Sequence, residues 1–78
     1  MIHNRIIINP KIMGGKPVIQ GTRITVEHVL RKLGTDMSTE EIIADHPHLT
    51  TEDIYAAVAF AADHLAQEEI IFSDGQRL

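Results

Sequence analysis

Seventy-eight residues without a cysteine fit one domain, exclude disulfides and thiolate metal centres, and leave oligomerisation as the usual supplement to so small a core. The net charge of −4 conceals a split: residues 1–34 carry six basic side chains against Glu27 alone, a balance of +5, and residues 35–78 carry ten acids against Arg77 alone, a balance of −9. Such a split suits an anionic partner for one half and a basic partner for the other, attraction between subunits, or two separately solvated halves.

In chain order, the β-branched residues 5–8 end at Asn9-Pro10, a turn signal, and predict a first strand. Residues 14–25 then read Gly-Gly-Lys-Pro-Val-Ile-Gln-Gly-Thr-Arg-Ile-Thr and hold three of the five glycines. Gly14, Gly15 and Gly21 offer turns at positive φ, and Pro17 drives Lys16 extended. The alternation of residues 23–26 predicts a half-buried second strand over 23–25, with Val18-Ile19 pairing before it. Lys16 and Arg23 are thereby held on stiff backbone near both turns, a placement suited to a phosphate backbone or an acidic protein surface.

Thr25 is positioned to cap a first helix over 26–33. Its apolar positions Val26, Val29, Leu30 and Leu33 follow the helical rule, and Gly34 stands at the stop. Ser38 and Glu41 form a capping box for a second helix, Met37 and Ile42 occupy the staple positions, and Pro47 ends it. Leu49 and Ile54 repeat the staple around Thr50, with Glu52 and Asp53 in a first turn whose dipole favours acids. The third helix is expected over about 51–66.

Between Ile54 and Ala62 that helix is apolar on every face, with five alanines in nine residues, so it belongs in the centre of its own domain or against another subunit. The same stretch is far below the roughly 20 residues that cross a bilayer, and the amino terminus shows no secretory signal, which predicts a soluble, cytoplasmic protein. Residues 67–78 form a tail containing Ile70-Ile71-Phe72, for which helix, strand and loose chain all stay open. The reading is one domain over 1–78, mainly α, with a β element over 5–25 and a tri-helical, helix-turn-helix-like core over 26–66.

No constellation for catalysis assembles. Gly15-Lys16 fails as a phosphate-binding loop, because Pro17 replaces the required hydroxyl residue and Pro10 replaces an upstream glycine. Asp45-His46-Pro47-His48, even with His3, His28 or His64, matches no closed metal spacing, and helix-end histidines ordinarily meet the last carbonyls. The acid pairs are sequence neighbours and diverge on a helix. Neither serine has a base and orienter, and Tyr55 and Phe60 read as core or interface residues. A non-enzymatic protein without cofactor or metal is expected. The third helix begins Thr50-Thr51-Glu52-Asp53 and contains no Lys or Arg, which opposes deep major-groove readout. Contacts to DNA or another partner are therefore assigned to Lys11, Lys16, Arg23, Arg31 and Lys32.

Gly14-Gly15-Lys16-Pro17, Gly21-Thr22-Arg23-Ile24, the Ser38-Thr39-Glu40-Glu41-Ile42 helix start and Pro47-His48-Leu49-Thr50 before an alanine-rich helix occur here in one order. Over about residues 6–65 the chain resembles the prokaryotic family catalogued as domain of unknown function 433. The resemblance implies a helix-turn-helix fold behind a short β element. It also implies an antitoxin of a type II toxin-antitoxin module that neutralises a PIN-like ribonuclease and binds its own promoter DNA. The residues it singles out are Gly14, Gly15, Lys16, Pro17, Gly21, Thr22 and Arg23, none of them catalytic. A homodimer is the expected assembly; the alternative is a dimeric protein-interaction module that does not bind DNA.

Overall fold

Two short strands precede three helices in a computed structural model that describes residues 3–67. The tail residues Ile70-Ile71-Phe72 lie outside the described residues. Strands β1 (Ile6–Ile7) and β2 (Val18–Ile19) pair antiparallel, with Ile6 opposite Ile19 and Ile7 opposite Val18. The second strand is therefore Val18–Ile19, and of residues 23–25 only Thr25 joins it, by a single bridge to Val18. The tight return at Gly21 explains the difference. Gly21 takes φ +81, Thr22 N–H donates to Ile19 O at 3.0 Å, Ile19 N–H to Ile24 O at 2.9 Å and Val26 N–H to Pro17 O at 2.9 Å. The returning strand runs straight into a helix start before it can extend.

The other glycine turn is left-handed over three successive residues, Met13, Gly14 and Gly15, at φ +48, +66 and +85. Glycine adopts this region freely, whereas Met13 holds it against a steric cost.

Helix α1 (Val26–Gly34) is capped by the Thr25 hydroxyl, which accepts from His28 N–H at 3.0 Å. Its end lies one residue beyond the expected one, and Asp36 at φ +68, not Gly34, makes the left-handed exit. Helix α2 (Thr39–Asp45) carries both halves of the Ser38/Glu41 capping box. Helix α3 (Thr51–Ala66) has a second box, in which Asp53 N–H donates to the Thr50 hydroxyl and Thr50 N–H donates to the Asp53 carboxylate. Each helix start thus satisfies backbone donors that would otherwise have no partner.

One cluster forms the core: Ile6 and Ile19 from the sheet, Val26 and Val29 from α1, Ile42 from α2, Leu49 from the turn, and Ile54 and Ala57 from α3. Both staple pairs contribute, with Met37 packed partly buried against Ile42 and its neighbours. The protein is mainly helical, with three helices behind a two-stranded antiparallel sheet. No described helix is long and apolar enough to cross a membrane.

Candidate functional site

Part of the charge split of the sequence closes within the chain. Arg5 Nη1 donates to Asp53 Oδ1 at 3.0 Å, Lys32 Nζ to Asp45 Oδ2 at 3.2 Å, and His3 Nε2 to Asp63 Oδ2 at 2.8 Å, each joining the basic half to the acidic half. Glu27, the single acid of the basic half, receives Lys16 Nζ at 3.2 Å and Arg31 through Nε at 3.1 Å and Nη2 at 3.0 Å. The hydrogen bonds from Arg31, then those from Lys16, hold its carboxyl below the usual glutamate range. Most of these groups are exposed, so the pairs orient side chains more than they stabilise the fold.

Of the five cations assigned from sequence, Lys16, Arg31 and Lys32 thus have carboxylate partners in their own chain. Lys11 and Arg23 make no side-chain hydrogen bond or ion pair among the described residues. The structure sorts the set into three paired cations beside α1, which share two carboxylates, and two cations on the glycine-rich β element that are unpaired among the described residues. A cation with no local carboxylate meets an incoming anion without first breaking a pair.

Among the described residues, the apolar third helix is covered on one side. Ile54 and Ala57 are buried, and Ala56, Phe60 and Ala61 pack against the core. Tyr55, Val58 and Leu65 remain 63%, 43% and 55% exposed, and Ala62 between them is exposed as well. These residues step by three, four and three, the spacing of a coiled-coil seam. Phe60 faces inward between two imidazoles: His3 meets it edge-on at 5.3 Å, and His64 lies stacked on it at 6.2 Å. Beside this seam an apolar groove of about 310 Å³ runs between α1 and α3, lined by Pro17, Val26, Leu30, Phe60, Ala61 and Leu65 among others.

Sequence reasoning missed the meeting of His28 and His46. Their rings stand edge to face with centroids 5.4 Å apart. His46 does cap α2, but through its backbone N–H, which donates to Ile42 O at 2.9 Å. Its ring is drawn against His28, and Nε2 is buried without a hydrogen-bond partner. The two histidines stand eighteen positions apart, and no local pattern signals such a contact.

The architecture is a mainly helical domain behind a two-stranded sheet, with two unpaired cations and an exposed apolar face on α3 among the described residues. The chain belongs to the family described as protein of unknown function (DUF433), whose profile matches residues 6–61. It is similar to the crystal structure of a DUF433 member protein from Anabaena variabilis, with 33% sequence identity, a TM-score of 0.76, and coverage of 82% of this chain and 63% of that one. It is also 34% identical over 67 residues to the uncharacterized protein y4eO of Sinorhizobium fredii, covering 85% of this chain and 30% of that protein. The chain therefore spans under a third of the curated relative and under two thirds of the solved one.

Proposed function

We propose that the chain is a non-enzymatic, antitoxin-like protein that dimerises through α3, neutralises a PIN-like ribonuclease and binds its own promoter DNA through phosphate contacts. The observation that carries the reading is the uncovered stripe of Tyr55, Val58, Ala62 and Leu65 on a helix whose other side is already in the core. Under a two-fold axis with antiparallel helices, Tyr55 faces Leu65 of the second copy and Val58 faces Ala62, so the stripe is complementary to itself. The small central pair permits close helix approach. Lys11 and Arg23 of each subunit supply the DNA contacts, and the family resemblance supplies the nuclease as partner.

Co-expression with the product of the adjacent gene tests the toxin half. Co-purification, with loss of ribonuclease activity in the complex, is the expected result. A neighbour that is not a small nuclease, or a nuclease that stays active and separate, refutes it.

The acidic start of α3 favours a second reading, a dimeric protein-interaction module without DNA binding. The first turn of α3 carries Glu52 and Asp53, and the helix has no Lys or Arg for groove readout. Fluorescence anisotropy with the upstream duplex at low salt separates the readings, since this module leaves the DNA unbound.

A further inference from the structure

An anion-shaped requirement is left open where the glycine turn, the start of α1 and the end of α2 converge. A cleft of about 230 Å³ is lined there by Met13, Arg23, Ile24, Thr25, His28 and His46. Its lining contains one fixed positive charge and no carboxylate. Arg23 has no partner among the described residues. His46 Nε2 is buried and also without a partner among the described residues, whereas a buried polar atom ordinarily meets a protein group or an ordered water. The Thr25 hydroxyl oxygen accepts from His28 N–H, which leaves its own proton free to donate. Met13, at the rim, holds the strained left-handed φ of +48, and such strain clusters at ligand sites. The adjoining cleft shares Met13, Thr25 and His28 and adds Lys16, Arg31 and Glu27, so further positive charge stands beside the first.

A cation is a poor occupant, because Arg23 repels it and no acid lines the cleft to hold it. Nucleotide loops of the usual kind are excluded by Pro10 and Pro17.

We propose that this cleft binds a single phosphate group, with Arg23 as the charged anchor, His28 and the Thr25 hydroxyl as directional donors, and His46 turning its buried Nε2 outward to join them. Arginine presents parallel N–H groups matched to phosphate oxygens, and a buried imidazole donor adds direction that an exposed lysine lacks. The phosphate comes either from a nucleic-acid backbone or from a free phosphate species; both present the same oxygens. The site deepens the DNA half of the proposed function and rests on that reading only for the source of the phosphate.

The test follows the imidazole signals of His28 and His46 by NMR during titration with inorganic phosphate, against sodium chloride of matched ionic strength and at fixed pH. The expected result is a saturable shift of both histidines, weakened roughly tenfold in Arg23→Gln. His46→Leu keeps or raises thermal stability, because it removes an unsatisfied buried atom, yet weakens the phosphate response at His28 by a similar factor. A second titration uses duplex DNA. Shifts of the same signals identify a nucleic-acid backbone as the source. Saturable phosphate shifts without any DNA response keep the site, assign it to free phosphate and defeat the DNA half of the proposed function. Histidine signals that stay still up to tens of millimolar phosphate overturn the site, whether or not DNA binds elsewhere.

Discussion

The sorting of cations into paired and unpaired sets makes a quantitative forecast for DNA binding. Each phosphate neutralised on a duplex changes the slope of log K against log salt by about 0.9. Lys16, Arg31 and Lys32 already neutralise Glu27 and Asp45, which leaves Lys11 and Arg23 to act in each subunit. A dimer then contacts about four phosphates, giving a slope of about −3.6 and a roughly 150-fold loss of affinity between about 50 and 200 mM salt. If all five cations acted, about ten phosphates would give a slope near −9 and a loss above roughly 10⁵-fold over the same range. Fluorescence anisotropy of a labelled upstream duplex across a salt series measures the slope directly. Arg23→Gln should flatten it by about 1.8, one contact per subunit, and Lys16→Gln should leave it nearly unchanged. A slope near −9, or an equal effect of both substitutions, refutes the assignment of free and committed cations. Slope zero refutes phosphate binding altogether.

Three further outcomes follow from particular contacts. Val58→Asp places a charge in the centre of the uncovered stripe on α3; light scattering should report a monomer for the variant at concentrations where the unaltered chain is a dimer, and a monomeric parent chain at hundreds of micromolar defeats the seam. Asp53→Ala removes the α3 capping-box carboxylate and the acceptor of Arg5 together, at a cost of about 1 to 2 kcal/mol after allowance for the exposed arginine. In a domain of this size that lowers the melting temperature by roughly 4 to 16 °C, and a change within error contradicts the capping geometry. Glu27 has its folded-state pKa depressed by Arg31 and Lys16 from the ordinary 4.5, so its contribution is complete above that value and is lost as pH falls through the lower folded value. Thermal melts of Glu27→Gln against the parent chain should differ near neutrality and converge in acid; a difference that grows on acidification refutes the pairing.

Helix starts were legible because their chemistry is local. Ser38 with Glu41 and Thr50 with Asp53 lie three residues apart, and Met37 and Leu49 stand just outside helices that their partners Ile42 and Ile54 begin to bury. The sheet was less legible, since alternation over residues 23–26 describes a strand and a helix start equally well, and the Gly21 return decides between them. The family was readable from the glycine turns and the helix starts in sequence order. The candidate site divides on the same line: sequence picks out Arg23 as a cation on stiff backbone, but cannot show that Lys16 and Arg31 share one carboxylate. That Lys32 reaches Asp45 from another helix, or that His46 turns toward His28, depends on how the helices pack. The all-apolar stretch of α3 left two outcomes open; Ile54 and Ala57 enter the core of the domain, while Tyr55, Val58 and Leu65 stay exposed among the described residues.

The two contacts that fasten the amino-terminal segment to α3 also set a timetable for the polypeptide. His3 reaches Asp63 and Arg5 reaches Asp53 across 60 and 48 positions of chain, whereas the turn around Gly21 closes within a few residues. During synthesis β1 is made well before α3, so neither anchor exists until that helix has formed. A chain interrupted before α3 is made therefore holds β1 by its pairing with β2 alone, and the arrival of α3 adds both anchors.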